Sequence, residues 1–477
     1  MLDIIPELCQ LSAVAAVSKL CQGEISPLDL IDAAEQRITR TNPHLNAMPT
    51  LCLERARKHA QAMMAGKRPT GLLHGLPIAV KDLSEVAGVR TTYGSPIYQD
   101  FIPQQSDYMV QNLEAQGAIV IGKSNTPEFG AGASTFNEVF GKTHNPWNIT
   151  KSVAGSSGGA AAALAAGQVW LATGSDLGGS LRTPASFNSI IGLRPSPGRV
   201  PHGPNGNPWN TMSVNGPMGR NAADTALMLD AMTGQVSGDP ISLAVPATSF
   251  LNCVELAKAP KQIGFSSNLG ISPVDPEVHA ICEQAAQRFA ALGSEITDSC
   301  PDFSEAVDTF QVIRAVMFAN AHYFHLRDHS DKLKPEVIWN IEKGLALKVE
   351  DIIRAEQARA RLLQNILAFF EQHDLLLCPT AIVPPFDVDM RYVEEVNDQR
   401  FDNYIEWLSI AFPATLCSCP AVSVPAGFTT SGLPVGLQII GPPRAEGRVL
   451  AAASLIERAG LTPINPRDAM GKNLLDG

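Results

Sequence analysis

Residues 153–180 read VAGSSGGAAAALAAGQVWLATGSDLGGS, in which small residues lie between two clusters of Gly and Ser. The small residues of 158–167 predict a helix, and the apolar run at 169–173 predicts a strand buried on both faces. A helix followed by a buried strand is typical of α/β proteins. The segment therefore predicts a sheet covered by helices, and its Gly/Ser turns suggest a site built from main-chain N–H groups.

The same alternation of helix and buried strand continues along the chain. A helical pattern precedes the apolar run at 118–121, and another covers residues 276–292. Further short apolar runs predict strands at 76–80, 262–265, 375–378, 421–424 and 435–440. Because these runs are apolar throughout, they favour a mostly parallel sheet with both faces covered.

The domain organisation follows from where the strands stop and resume. Residues 300–375 carry an almost purely helical pattern with clustered charge, and strands return after them, so we interpret this segment as a helical insertion in one core. A chain of 477 residues could form two or three domains, but it has no internal repeat, long linker or low-complexity tract. We therefore predict a single domain over residues 1–477, with an N-terminal helical region at 1–70 and a core at 71–240.

The charge balance limits the classes of partner. Lys and Arg total 36 against 47 Asp and Glu, which gives a formal net charge of -11. This balance disfavours attraction to nucleic acid or to anionic membrane. The longest small-apolar stretch, residues 158–173, spans about 16 residues, fewer than the roughly 20 that cross a bilayer. We expect a small neutral or cationic partner, and neither nucleic acid nor membrane.

The N-terminus and the cysteines bear on the compartment. Asp3 and Glu7 stand where a secretory signal would carry Lys or Arg. The nine cysteines form no C-x-x-C pair, and no histidine lies at a zinc-finger spacing from them. Reduced thiols in a cytoplasmic protein, with no metal site, are therefore expected.

The Gly/Ser-rich segment allows several interpretations. It could be a flexible loop or a place where a helix packs tightly on a sheet. A phosphate site is disfavoured, because neither G-x-x-x-x-G-K-[ST] nor G-x-G-x-x-G occurs in it. Residues 155–159 match G-x-S-x-G with Ser157 at the centre, the nucleophile elbow of α/β-hydrolases, but the preceding residues 151–154 make a poor strand.

Lys81 is a second candidate for chemistry, because it ends the apolar run at 76–80. A lysine carried into a dry site has a lowered pKa and can act as a base toward a serine hydroxyl. It could equally be a surface lysine that closes an edge strand. The residues alone leave this choice open.

Several motifs in order resemble the amidase signature family. They are GKSNTPEFG at 122–130, FGKTHNPW at 140–147, GSSGG at 155–159, GSDLGGSLRTPA at 174–185 and GLRP at 192–195. The similarity extends to GLLHGLPIAVKD at 71–82, GPMGR at 216–220 and LPVGLQIIG at 433–441. It covers most of the chain and is looser from residue 240 to 413.

The resemblance implies a fold and a set of site residues. The fold is α/β, a single large mixed sheet flanked on both faces by helices, with the signature core at 71–240. The implied triad is Lys81 as base, Ser156 after a cis peptide as proton relay, and Ser180 as nucleophile. Backbone N–H groups of Leu177, Gly178, Gly179 and Ser180 would form the oxyanion hole. Ser157, Asp176 and Arg182 would support the site, the last two as an ion pair, and Gly130 and Ser156 would contact substrate.

The function implied by the resemblance is hydrolysis of a small-molecule carboxylic amide without a metal or cofactor. The family also implies that the chain could form a homodimer. Aryl and alkyl amides are expected substrates, with esters or carbamates as further candidates. One alternative is the glutaminase subunit of a tRNA-dependent amidotransferase, but MSVN at 212–215 departs from the S-L-D-Q of that subunit, and its tyrosine-rich segment is absent between residues 314 and 361. The other alternative is a non-catalytic ligand-binding member, which would have no reason to retain Lys81, Ser156 and Ser180.

Overall fold

The computed structural model of the protein describes residues 7–460. Asp3, on which the secretory-signal argument partly rests, and both ends of the predicted 1–477 domain lie outside this range. Fifteen helices lie within the described residues: α1 (Glu7–Gln10), α2 (Ala13–Gln22), α3 (Pro27–Leu45), α4 (Leu53–Met64), α5 (Tyr108–Ala115), α6 (Gly158–Ala165), α7 (Arg182–Asn188), α8 (Ala222–Met232), α9 (Phe250–Glu255), α10 (Pro276–Ala291), α11 (Ala306–His329), α12 (Pro335–Ala346), α13 (Val349–Phe370), α14 (Phe412–Leu416) and α15 (Glu446–Arg458).

The strands of the same range form one large sheet and three small hairpins. They are β1 (Thr50–Leu51), β2 (Pro77–Lys81), β3 (Ile119–Ser124), β4 (Phe136–Asn137), β5 (Gly141–Lys142), β6 (His144–Asn145), β7 (Asn148–Ser152), β8 (Leu171–Asp176), β9 (Ile191–Arg194), β10 (Val214–Gly219), β11 (Gln262–Phe265), β12 (Glu295–Asp298), β13 (Leu375–Pro379), β14 (Glu395–Val396), β15 (Gln399–Arg400), β16 (Ala421–Phe428) and β17 (Pro434–Ile440). The large sheet has eleven strands in the order β1-β3-β2-β8-β10-β9-β16-β17-β13-β11-β12.

The sheet is mixed, as the family resemblance implies, and the mostly parallel sheet favoured by the apolar runs is wrong. Four of its pairings are parallel, namely β2 with β3 and β8, and β11 with β12 and β13. The other six are antiparallel. The runs are apolar because helices cover both faces, so that β2, β13 and β17 are buried along their whole length. Burial on both faces of a strand therefore indicates that helices cover the sheet, and it does not indicate whether neighbouring strands are parallel.

Local chemistry explains why helices begin where they do. Ser26 and Asp29 form a capping box at the start of α3, with Pro27 at the first helical position. Seven of the eight residues of helix α6 are Gly or Ala and all eight are buried, which lets the helix lie close to β3. A Cβ on Gly159 would lie 2.3 Å from the backbone N of Asn125, so only glycine fits at this contact.

The predicted helical insertion at 300–375 contains α11, α12 and α13, which pack on one another beside the sheet. Phe310 of α11 stacks on Phe412 of α14 with ring centroids 3.7 Å apart. This pair lies against the loop that follows β8, because a Cβ on Gly178 would be 3.2 Å from the Phe310 ring. Within residues 7–460, no helix has the length and apolarity needed to cross a membrane.

Candidate active site

Lys81 lies at the carboxyl end of β2, beside the carboxyl end of the parallel strand β8. Its Nζ is within hydrogen-bond distance of three serine hydroxyls, at 2.7 Å from Ser156 and 2.9 Å from both Ser157 and Ser175. The side chain is 1 % exposed, and β2 has a neighbour on each side. Lys81 is therefore not a surface lysine at a sheet edge.

Burial also changes the acidity of this lysine. Desolvation lowers the pKa of Lys81 to about 7, although the negative charge of Asp176 acts in the opposite direction. The cause is that an ammonium loses its hydration in the interior and gains no carboxylate hydrogen bond in return. A substantial fraction of Lys81 is thus neutral near pH 7.

Ser156 lies in the turn between β7 and α6, and the Gly155–Ser156 peptide is cis. Its side chain is 3 % exposed, so the contact with Lys81 is shielded from water. Gly130 lies on the other side of Ser156, since a Cβ on Gly130 would be 3.4 Å from Ser156 Oγ. The φ of Gly130 is +71°, a region that favours glycine.

Ser180 ends the Gly/Ser turn that follows β8. Its carbonyl accepts a hydrogen bond from the Ser157 N–H at 3.2 Å, which fixes it beside the Lys81 cluster. The side chain is partly exposed, and its Oγ makes no hydrogen bond to any residue in the range 7–460. The structure thus brings Lys81, Ser156 and Ser180 into one region, and the Ser180 hydroxyl has no hydrogen-bond partner among the described residues.

Asp176 is held by two buried arginines, one of which the resemblance implied. Its carboxylate accepts from Arg182 at 2.8 and 3.0 Å and lies 3.3 Å from Arg194 Nη1. Burial raises the pKa of Asp176, but Arg182 and then Arg194 more than offset it and hold that pKa below its usual range. Because two guanidinium groups face one carboxylate, this cluster carries a net positive charge, and it lies beside the turn at residues 177–180.

The backbone of residues 177–180 supplies N–H groups, but not all four that the sequence predicted. The Gly179 N–H donates to Asp176 Oδ1 at 3.1 Å and is already used. The N–H groups of Leu177, Gly178 and Ser180 have no acceptor among the described residues. Three donors are thus free on a turn that is only partly buried.

Carbonyl contacts fix the orientation of these three donors. In a trans peptide the C=O and the following N–H point in opposite directions, so a bond to the carbonyl aims the N–H. The carbonyl before each free N–H is bonded: Asp176 O accepts from Arg194 Nη1 at 2.6 Å, Leu177 O from Thr415 Oγ1 at 2.7 Å, and Gly179 O from Thr183 N at 2.7 Å.

Sequence reasoning missed three of these residues. Ser175 lies within the quoted segment, and the alignment of β2 with β8 places it at the Lys81 end, so parallel strand pairing could have identified it. Arg194 belongs to a matching motif, but its contact with Asp176 O depends on the β9 position. Thr415 lies more than 200 residues from the turn it contacts, and no sequence pattern indicates it.

A cavity of about 980 Å³ runs along α11, and its lining includes none of Lys81, Ser156 or residues 177–180. Its walls come from residues 202–212 and from α11 and α13, including Met212, Ile313, Met317 and His322. His322 also packs on Phe129, next to Gly130, with centroids 4.4 Å apart. Within residues 7–460, no group of three or more His, Cys, Asp or Glu side chains could hold a metal, and all nine cysteines are free thiols.

A buried lysine at hydroxyl-bonding distance, an unbonded serine hydroxyl and a turn with free backbone N–H groups, on a mixed α/β sheet, are features of serine-dependent acyl-transfer enzymes. Comparison with known proteins identifies the family within this class. The Amidase family model matches residues 29–450, so the chain belongs to that family, the amidase signature enzymes. It is an amide-hydrolysing enzyme.

Relatives of two kinds are similar to this chain. An acylamidase of Rhodococcus erythropolis is 33% identical over 457 residues, covering 94% of this chain and 95% of that protein. A glutamyl-tRNA(Gln) amidotransferase subunit of Synechococcus sp. (strain RCC307) is also 33% identical, over 484 residues, with 94% and 97% covered. The solved structure of a bacterial aryl acylamidase of the amidase signature family superimposes with a TM-score of 0.90 at 27% identity, covering 98% and 99%.

Proposed function

We propose that the protein hydrolyses small-molecule carboxylic amides through an acyl-enzyme on Ser180, with Ser156 as proton relay and Lys81 as base. The observation that carries the proposal is the buried Lys81 Nζ, at 2.7 Å from Ser156 Oγ, beside a Ser180 hydroxyl with no partner in the described range. A neutral amine there can accept a proton through its lone pair while its two N–H groups donate to Ser157 and Ser175.

The first half-reaction forms the acyl-enzyme. Lys81 takes the Ser156 proton, Ser156 takes the Ser180 proton, and Ser180 Oγ attacks the amide carbonyl carbon. Negative charge on the carbonyl oxygen is stabilised by the N–H groups of Leu177, Gly178 and Ser180. Removing one such donor from an enzyme typically costs about 10² to 10³ in kcat.

The second half-reaction releases both products. Ser156 protonates the leaving nitrogen as the C–N bond breaks, and Lys81 returns its proton to Ser156. Water then loses a proton along the same relay, attacks the acyl carbon, and breaks the bond to Ser180. The acid product leaves, and Lys81 and both serines regain their starting protonation states.

Aryl or alkyl amides are the substrates that the surroundings favour, with esters and carbamates as further candidates. Acylamidase and aryl acylamidase are the names that two similar proteins carry. The cavity along α11 has room for such groups, and apolar side chains such as Val312, Ile313 and Val316 line part of it.

The rival role is that of an amidotransferase's glutaminase subunit, which the Synechococcus relative supports at equal identity. A panel of p-nitroanilides, p-nitrophenyl esters and aryl carbamates, together with glutamine, discriminates the two roles. We expect the purified chain alone to turn over members of the panel. No turnover on the panel, with glutaminase activity only after a partner protein is added, would contradict the proposal.

A matched pair of variants separates catalysis from simple ligand binding. Ser180→Ala should lower turnover by several orders of magnitude, whereas Ser18→Ala, at an exposed position of α2, should not. Substrate binding without turnover in the wild-type protein would support the non-catalytic alternative.

A further inference from the structure

One hydroxyl outside the family motifs contacts the turn that carries the oxyanion donors. We propose that Thr415 is a positioning residue that aims the Gly178 N–H at the carbonyl oxygen of the substrate. The inference rests on the proposed function and assigns part of its transition-state stabilisation to α14, some 235 residues along the chain from the turn.

The contact acts on a single peptide unit. Thr415 Oγ1 donates to the Leu177 carbonyl at 2.7 Å, and Thr415 is fully buried. The Gly178 N–H belongs to the same peptide plane and therefore points away from Thr415. It is one of the three N–H groups on the turn that have no acceptor within the described residues.

This peptide needs an external constraint, because glycine follows it. A flip of the Leu177–Gly178 peptide changes ψ of Leu177 and φ of Gly178, and glycine tolerates either sign of φ. A flipped peptide would present a carbonyl oxygen where the donor should be. The Thr415 hydroxyl stabilises only the orientation in which the N–H is available.

Arg182 fixes the direction in which the Thr415 hydroxyl donates. Its Nη2 lies 3.5 Å from Thr415 Oγ1, and its Nη1 donates to Ala411 O at 3.0 Å. Because Arg182 can only donate, the Thr415 oxygen faces it as an acceptor, and the hydroxyl proton is left for Leu177 O. The same arginine binds Asp176, which in turn holds the Gly179 N–H.

The test uses a reagent that needs no knowledge of the amide substrate. In the reaction of Ser180 with an alkyl fluorophosphonate, the Ser180 oxygen bonds to phosphorus, fluoride leaves, and the serine proton passes to the relay. The phosphoryl oxygen gains negative charge in the transition state, as a carbonyl oxygen would. The second-order rate constant of labelling therefore reports the donors when it is measured at a temperature at which circular dichroism shows each variant to be folded.

Thr415→Val keeps the shape of the side chain and removes the hydroxyl, while Thr415→Ser keeps the hydroxyl. We expect the Thr415→Val variant to be labelled about 10- to 100-fold more slowly than wild type, an effect no larger than the loss of a whole donor. The Thr415→Ser variant should be labelled within about threefold of the wild-type rate. Thr415→Ala provides a second hydroxyl-free variant if Val does not fold. For any anilide that is turned over, kcat should fall and KM should change little.

Thr225→Val is the matched control. Thr225 is fully buried and donates to the Asn221 carbonyl at 2.9 Å, but it lies in α8, away from the turn. Under conditions in which this variant is folded, its labelling rate should equal that of wild type.

The outcomes separate the two proposals. Wild-type rates in both Thr415→Val and Thr415→Ala, with label on Ser180, would overturn the positioning role and leave the amidase proposal intact. A wild-type protein that takes up no label at Ser180 would overturn both. Label on Ser180 with no amide turnover would count against the amidase proposal, while the variants would still decide the role of Thr415.

Discussion

At the scale of single residues, the proposed chemistry depends on the burial of Lys81, which is 1 % exposed. Its ammonium form is disfavoured by burial, and the three neighbouring hydroxyls do not carry the charge that would restore it. The proposed base must be neutral to accept the Ser156 proton. The ionisation of one side chain should therefore govern the rate of the reaction.

We predict that kcat/KM rises with pH through an apparent pKa of about 7 and is level above it. Below this value Lys81 is protonated and cannot act as base, so the rate should fall about tenfold per pH unit. The measurement is a pH profile of anilide hydrolysis, repeated with Lys81→Ala, in which this titration should disappear with most of the rate. A profile that rises only near pH 10, as for a solvated lysine, would refute the assignment.

The sequence predicted part of this arrangement, and the catalytic roles of its residues stay predictions. The motifs indicated Lys81, Ser156 and Ser180, and the turn between 177 and 180, but not which N–H groups are free. That distinction depends on Asp176 accepting from the Gly179 N–H three residues further on, a local contact that an Asp at this spacing permits but does not require. Thr415 could not be found at all, since its contact is created by tertiary packing.

At the scale of elements, Asp176 joins three parts of the fold. It ends β8, binds Arg182 at the start of α7, and contacts Arg194 at the end of β9. All three side chains are fully buried. Removing the one carboxylate would leave two buried guanidiniums without a counter-ion.

We predict that Asp176→Asn lowers the free energy of unfolding by about 3 to 5 kcal/mol, the usual cost of breaking a buried pair on one side. Urea denaturation measures this change. The control is Asp328→Asn, which breaks an exposed pair with Arg327 and should leave stability nearly unchanged. Equal losses in the free energy of unfolding for the two substitutions would contradict the prediction that the buried cluster stabilises the fold more than an exposed ion pair.

The bounds of helices and strands with a clear hydrophobic pattern were predicted closely. The bounds of strands that depend on pairing with distant segments were not. The strand at 262–265 has the predicted bounds, and α11 to α13 occupy the predicted insertion. The strand predicted at 169–173 instead runs over Leu171–Asp176, because pairing with β10 carries it into the polar G-S-D. Strands β9 and β10 were missed because GLR and VNGPMG contain the glycine and proline that normally argue against a strand.

At the scale of the whole molecule, one sheet joins the N-terminal and C-terminal halves of the chain. Strand β9 pairs with β16, which links the signature region to strands that follow the helical segment. The division of residues 1–477 into one domain with an insertion stays a prediction, as do the homodimer and the cytoplasmic location.

The cavity also belongs to this scale, because residues distant in sequence form it. Residues 202–212, α11 and α13 meet only in the folded chain, so its volume and lining were outside the reach of sequence reasoning. That this cavity holds a substrate group is part of the proposal, and its lining comes from the helical segment and not from the signature motifs.

The most direct measurement of the central claim is acid-quenched peptide mapping during turnover of p-nitrobutyranilide, with wild-type protein, Ser180→Ala, Lys81→Ala and the double variant. We predict a butyryl group on the peptide that contains Ser180 in the wild type, no adduct in Ser180→Ala, and similar losses of turnover in the single and double variants because the residues act as a unit. A butyryl group on another residue, or turnover at the wild-type rate in Ser180→Ala, would contradict the account.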